Sequence, residues 1–439
     1  MRFTFRSGRI CLNLTVLLMA WLAGAADTSR GQEPDENPRV ARLIKRLGSP
    51  SFVQRRRAGA ELARLGEAGR RQLEKAAESD DPEVRLRADR LLKKLKLREM
   101  WSASIVQVEA DEQPASAVIR SVAGQSGNLL DVGEQFRIFN DKKITLDYRQ
   151  GSFWQVIDDV CQRSGNYVRP HYDTRKPGLV VVAGKPGKFP KAYAGPLRVR
   201  LTTAQRLFKE EFDYEDESSD VTHIFRIGLS VLWEQRFRLV AYREQPSLVA
   251  ARTDTGVPLT MNRSGDASWQ VTTALSRQIS AEMLLPPPPT SAKRLDVLTL
   301  RWELIAVGDM ATLEVSDLSA GTVHRRDDLE LSIESIEKES NTRHVLTVEI
   351  SRNLVIPEPR EVLFHENEFE LLDAKGKPLR RVTQTGALTD TGARLKIVFE
   401  SDSAGRTPKT LRLHYPRIRA RRSLDITFRN VPLPLARPK

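Results

Sequence analysis

The sequence predicts a multidomain α+β chain made of a short α-helical stub, a small βαββαββ domain and two β-sandwich domains. Three observations carry that prediction. Apolar residues recur at helical spacing from Val40 to Leu95, with stops at Gly48-Ser49-Pro50 and at Gly66. Between Pro114 and Asn166 one segment echoes another: Val118-Ile119, Val122 and Ser126-Gly127-Asn128 return as Val156-Ile157, Val160 and Ser164-Gly165-Asn166, all at one offset. Beyond Gly187 the period changes to two, in short alternating runs broken by Gly and Pro.

The 439 residues suffice for three or four domains, and 40% apolar with 29% charged residues is a globular composition. Arg2, Arg6 and Arg9 precede an uncharged run from Ile10 to Ala26, and Ala23-Gly24-Ala25 stands just before the first acid, Asp27. This is the layout of a cleaved signal peptide over 1–26, with an uncleaved membrane anchor as the alternative. Export follows, to the periplasm or cell envelope. Residues 27–37 are polar and acidic and read as a flexible leader. Cleavage removes Cys11 and leaves Cys161 without a disulfide partner. Two cysteines exclude a disulfide framework and a cysteine metal site. Cys161 shares the apolar stripe of Phe153, Val156, Ile157 and Val160, so a buried, inert thiol is expected.

The helical segment is placed at 38–98. Val40, Leu43, Ile44 and Leu47 form the first stripe; Ala58, Leu62 and Leu65 the second; Leu73, Ala76 and Ala77 the third. Asp80-Asp81-Pro82 introduces a fourth helix bearing Val84, Ala88, Leu91, Leu92 and Leu95. Arg55, Ala58, Leu62 and Leu65 recur as Arg85, Ala88, Leu92 and Leu95 at a single spacing. On those residues, and on Asp-Pro-Glu-Val-Arg followed by Ala88, the segment resembles HEAT-like repeats. That resemblance implies paired helices packed across the small alanine, with the arginine at the turn. From Pro38 to Arg98 there are 18 Lys and Arg against 8 Asp and Glu, a net charge of +10. Arg85, Arg87, Arg90, Lys93, Lys94 and Lys96 flank the apolar stripe of the fourth helix; they read as a solvated helix face, and the alternative makes them the candidate contacts for an anionic cell-wall or membrane surface.

The small domain is placed at 99–187. Strands are expected over Ser104–Glu109, Asn128–Val132, Lys143–Tyr148, Asn166–Tyr172 and Gly178–Ala183, with helices over Pro114–Gln125 and Gly151–Arg163. Ile144-Thr145-Leu146-Asp147-Tyr148, the helix from Phe153 to Val160, Ser164-Gly165-Asn166 and Leu179-Val180-Val181-Val182 resemble the short N-terminal domain shared by secretins and TonB-dependent transducers. The resemblance implies a protein-contact module of the envelope without catalytic residues. It covers some 80 residues; those families continue into long β-barrel regions, whereas the roughly 250 residues that follow here carry prolines and charges on many expected strands, so the resemblance implies nothing about transport.

A β-sandwich is expected over 188–283, with strands at Leu197–Leu201, His223–Trp233, Phe237–Tyr242, Ser247–Arg252 and Trp269–Leu275. Four consecutive prolines, Pro286 to Pro289, mark 284–293 as a stiff linker. A second sandwich, immunoglobulin-like, is expected over 294–439, with Asp373-Ala374-Lys375-Gly376-Lys377 as a hairpin turn.

No catalytic signature stands out. Asp158 and Asp159 are adjacent on a helix, diverge by roughly 100° and read as helix surface. The run Asp213, Glu215, Asp216, Glu217 and Asp220 lacks the glycine and late glutamate of a calcium loop and reads as a solvated acidic loop. The six histidines, His171, His223, His324, His344, His365 and His414, share no metal-ligand spacing, and neither a Gly-x-Ser-x-Gly elbow nor a phosphate loop occurs. Arg417, Arg419, Arg421 and Arg422 form a late basic run that reads as a charge-guarded edge strand rather than a nucleic-acid site, since export separates the chain from nucleic acid. No cofactor and no metal is implied. The expectation is a scaffold or adaptor with an envelope protein as partner and no catalysis. A glycan or cell-wall binder using Trp233, Trp269 or Trp302, and a hydrolase with a site assembled from distant strands, are the alternatives.

Overall fold

A computed structural model describes residues 38–132, 139–171, 178–184, 187–261, 268–272, 276–352 and 360–434. The expected signal segment with Cys11, the leader, Gly133, Tyr172, Lys185, Pro186 and Leu275 lie outside the described residues. The chain divides into two compact bodies, one ending at Leu91 and one beginning at Leu92. The division falls inside the fourth helix, not after Arg98 as composition suggested.

The first body holds α1 (Pro38–Leu47), α2 (Phe52–Leu65), α3 (Glu67–Ala76) and the start of α4 (Pro82–Met100). Val40, Leu43, Leu47, Ala58, Leu62, Leu73 and Ala88 are buried, as the helical period requires. Asp81 Oδ1 accepts from the amides of Glu83 (2.9 Å) and Val84 (3.3 Å), capping α4. The internal repeat has a physical basis in its arginines. Arg55 Nη1 donates to the carbonyls of Ser49 (2.8 Å) and Pro50 (2.7 Å), and Arg85 Nη1 donates to the carbonyl of Ser79 (2.7 Å). Each arginine satisfies backbone acceptors in the turn before its own helix.

The second body is mostly strand. Its first part runs β1 (Ile105–Pro114), α5 (Ala115–Ser126), β2 (Leu130–Val132), β3 (Lys143–Ser152), α6 (Phe153–Ser164), β4 (Asn166–Pro170) and β5 (Leu179–Ala183). β1 pairs with β3, β5 lies between β2 and β4, and both helices pack on these sheets around Val118, Ile119, Val122, Val156, Ile157 and Val160. The two copies of the echo do the same work. Ser126 and Ser164 each donate a hydroxyl to the carbonyl four residues back, at 2.7 Å, and Gly127 and Gly165 take positive φ (65° and 73°) to end the helices. The buried asparagines then pin neighbouring backbone: Asn128 Oδ1 accepts from the amide of Gln235 (2.6 Å), and Asn166 Oδ1 from that of Asn140 (3.0 Å).

The rest comprises β6 (Lys191–Ala194), β7 (Leu197–Asp213), β8 (Ser218–Trp233), β9 (Arg238–Arg243), β10 (Ser247–Thr253), β11 (Trp269–Val271), β12 (Gln278–Leu285) and β13 (Arg294–Val315). It continues through β14 (Val323–Arg326), β15 (Leu329–Lys338), β16 (Arg343–Arg352), α7 (Leu363–Glu366), β17 (Glu368–Asp373), β18 (Arg380–Leu388), β19 (Gly392–Glu400) and β20 (Pro408–Pro432). β13 and β20 pair along nearly their whole length and serve two cores. Leu295, Leu298, Leu300 and Trp302 of β13, with Ile426 and Phe428 of β20, close over the sheet β12-β8-β7-β6. Leu313, Val315, Leu411, Leu413 and Tyr415, with Phe369 and Leu371 of β17, close over the sheet β14-β15-β16-β19-β18. Between these stretches Asp309 adopts φ 52°, a left-handed conformation that aspartate tolerates, and its carboxylate pairs with Lys96 (3.0 Å) and Arg417 (3.3 Å).

This corrects the expected division at the prolines. The run is a crossover inside the first sandwich, because Leu285 before it and Ala292 and Leu295 after it share one core. Arg206 fastens it, donating to the carbonyls of Pro288, Pro289 and Ala292 at 3.2 Å each.

Candidate functional site

The β7–β8 hairpin supplies the surface that sequence reasoning described only in part. At its base Leu197, Val199, Leu201, Phe225, Ile227, Leu229, Val231 and Trp233 are buried, β6 pairs with β7 over Leu197–Arg200, and β12 pairs with β8 over Phe225–Leu232. A register shift between Leu201 and Thr203 then faces Gly228, where an added Cβ would meet Thr203 Oγ1 at 2.4 Å. A bulge opposite a glycine bends a ribbon and re-aims it. Beyond Phe225 neither strand has a third partner among the described residues, yet the pairing continues to Asp213 and Ser218.

This distal arm is exposed and sorted by face. Directly paired residues share a face, so Glu211 with Asp220 and Asp213 with Ser218 lie on one side, and Phe212 with Ser219 and Glu210 with Val221 on the other. Phe212 is 50% exposed, Tyr214 87% and Val221 51%, and the Phe212 and Tyr214 rings meet edge to face at 5.1 Å. From Lys209 to Val221 the chain holds one Lys against seven Asp and Glu, a net charge of −6 in a protein whose formal charge is +13. The acidic run was legible in the sequence as charge. The register that makes it a projecting ribbon with an apolar side was not.

The six expected basic contacts are unequal. Arg85 is tied to the Ser79 carbonyl, Arg87 donates to the Leu47 carbonyl at 2.7 Å and pairs with Glu83, and Lys96 pairs with Asp309. Burial and the neighbouring Arg55 charge lower the pKa of Arg87. Arg90, Lys93 and Lys94 occupy exposed positions of α4.

Other candidates are absorbed by structure. Asp158, expected at a helix surface, is buried, because β6 and β7 lay Lys191, Tyr193 and Arg198 across α6. Its carboxylate accepts from Arg198 Nη1 (2.6 Å) and the Tyr193 hydroxyl (2.8 Å), and the Arg198 guanidinium lies 4.4 Å over the Trp154 ring. Burial, then the Asp158 charge, pushes the Cys161 thiol up to about 12, so no thiolate forms near neutrality. Burial followed by the Arg198 charge brings Arg200 down to about 10. Asp159 accepts from Arg163 (2.9 Å) and Tyr148 (3.1 Å).

The late arginines are each engaged. Arg417 meets Asp309, Arg419 reaches the fully buried Glu366, Arg421 pairs with Glu303 at 2.8 Å, and Arg422 lies 5.8 Å over the Trp101 ring. Trp233 and Trp302 are buried, while the Trp269 ring is covered by Arg243 (4.6 Å) and Arg421 (5.2 Å), so these three offer no coplanar sugar platform. A groove beside α7 and β18 is lined by Phe364, His365, Asn367, Glu368 and Gln384. There Glu368 pairs with Arg238 at 2.7 Å and burial lowers the pKa of His365, so the groove presents no pair of free carboxylates for acid–base work.

Among the described residues no group of three or more His, Cys, Asp and Glu side chains is placed to hold a metal ion, and no helix is long and apolar enough to cross a membrane. Buried Glu234 accepts from the amide of Ser104 (2.9 Å) and from Arg236 Nε (2.9 Å), joining the helix-bearing part of this body to the first sandwich. No family model, no curated protein and no solved structure matches the chain.

Proposed function

We propose that the chain is an exported envelope protein that works by binding, as a scaffold or adaptor, and that the β7–β8 arm is its principal contact element. The observation that carries this reading is the arm's exposure on both faces. A two-stranded hairpin without a third strand or a packed face is marginal in water, so a long one presenting Phe212, Tyr214 and Val221 to solvent fits a surface that a partner covers. Like charges directly opposite one another destabilise a strand pair, and Glu211 faces Asp220. The arm is thus built against its own stability, in keeping with recognition. The resemblance of residues 103–183 to the secretin and transducer domain and the signal-like N-terminus support the envelope setting.

A photo-crosslinking residue in place of Tyr214, expressed in the native host, tests the reading. Adducts of higher mass are expected from position 214 and not from Val323, an exposed site on a different strand. A chain that yields no adduct at 214 contradicts it.

A further inference from the structure

We infer that the arm takes up an extended cationic segment of another protein as an added β-strand, laid along the outer edge of β7 with basic and apolar residues in alternation. The inference rests on the reading of the arm as a contact element and names the kind of partner it takes.

The open edge is the first observation. β6 lies beside β7 only over Lys191–Ala194, and Pro190, whose carbonyl accepts from the Leu201 amide at 3.0 Å, precedes that strand. From Thr203 to Asp213 no described strand occupies the same column, so the outward N–H and C=O groups of this stretch form a template for another strand. On the other side β12 runs along β8 as far as Phe225 and leaves a shorter open stretch.

The two faces define what such a strand carries. Glu211, Asp213 and Asp220 share one side of the arm with Lys209, while Phe212 and Val221 share the other with Glu210 and Ser219. Lys209 pairs with Glu211, and Glu210 accepts from the Ser219 hydroxyl at 2.9 Å. The first side therefore sets three carboxylates against one ammonium, and the second is apolar around Phe212 and Val221. A strand added in register sends alternate side chains to the two sides. Lys or Arg at every second position meets Glu211 and Asp213, with Asp220 in the next strand, and the apolar residues between them cover Phe212. A second copy of the arm does not fit this edge, because pairing two β7 edges sets carboxylate against carboxylate, which destabilises a strand pair. The residues that oppose self-pairing attract a cationic strand, and the net charge of −6 from Lys209 to Val221 speeds the encounter.

The probe is an end-capped, fluorophore-labelled peptide of alternating Lys and Val, titrated into the purified full chain and followed by anisotropy. Saturable binding is expected at about 0.1 M salt and weakens about tenfold or more at about 1 M, where the Debye length falls from about 10 Å to about 3 Å. A peptide of the same composition with its Lys and Val in two separate blocks should bind far more weakly, since it cannot sort its side chains between two faces. The bound alternating peptide should slow hydrogen exchange of amides between Thr203 and Asp213. Glu211→Lys with Asp220→Lys is expected to abolish binding of that peptide and to admit one that alternates Glu and Val. Both positions are exposed, so circular dichroism should show the variant folded. No saturable binding, equal binding of the block peptide, unchanged exchange from Thr203 to Asp213, or a charge-reversed variant that still takes the Lys and Val peptide overturns the inference. Adducts at position 214 together with no peptide binding overturn it while leaving the scaffold reading standing; absence of any adduct removes both.

Discussion

The two ends of the β7–β8 hairpin share strands and sequence neighbourhood, yet they live in different environments. The base is held by a third strand on each side and by the β13–β20 ribbon across the core; among the described residues the distal arm from Lys209 to Val221 pairs with its own partner strand alone. Apolar residues at the base are buried almost without exception, while those of the arm stand in water beside seven carboxylates. Cross-strand pairing alone therefore does not say what a hairpin is for. The covering layer does: where one exists the strands are architecture, and where none exists they are surface.

The largest expected effect contrasts truncations at the two ends. Phe225→Ala, at a fully buried base position, should cost about 3–5 kcal/mol of unfolding free energy, and Phe212→Ala on the arm no more than about 0.5 kcal/mol, both read by urea denaturation. Equal losses would erase the distinction between base and arm. Next comes the junction beside the base. Glu234→Ala leaves the Ser104 amide without its acceptor and should cost about 1–3 kcal/mol, with amide exchange rising around Ser104; no change would mean that the helix-bearing part is held by other contacts.

A thiol reagent should leave Cys161 unmodified in the folded protein and react once urea unfolds it, since burial holds the thiol protonated. Fast labelling of native protein would show that the core around α6 opens. The smallest effect is a pH dependence confined to the second sandwich. Burial lowers the folded-state pKa of His344, so the unfolded chain binds the proton more readily, and stability is lost as pH falls through about 6.5 toward the folded value. His344→Gln should flatten that slope in thermal melts between neutral and mildly acidic pH, while the slope persists if other groups set it.

Much of the second body was legible because both its periods are. The echo from Val118 to Asn166 locates two helices and their glycine caps, since only glycine or asparagine ends a helix cheaply with positive φ. What escaped is what depends on pairing partners far along the chain. The prolines at 286–289 suggest a stiff spacer by composition, but Arg206, some 80 residues earlier, holds their carbonyls and makes the run part of one core. The stretches Val297–Ile305 and Met310–Val315 read as separate strands because Gly308 and Asp309 interrupt the alternation; they are one strand bent at a positive-φ aspartate. Asp158 reads as surface by helical position, and only the strands laid across α6 bury it. The arm's charge was visible, whereas its amphipathic sorting follows from register, which one sequence does not show.

Hydrogen exchange of the arm amides tests most directly whether the distal hairpin is a surface awaiting a partner. In the isolated protein the amides from Lys209 to Val221 should exchange far faster than those of Phe225 to Trp233, whose strand β12 flanks. Arm amides as well protected as those of Phe225 to Trp233 would mean that the chain covers its own arm, and would contradict the account.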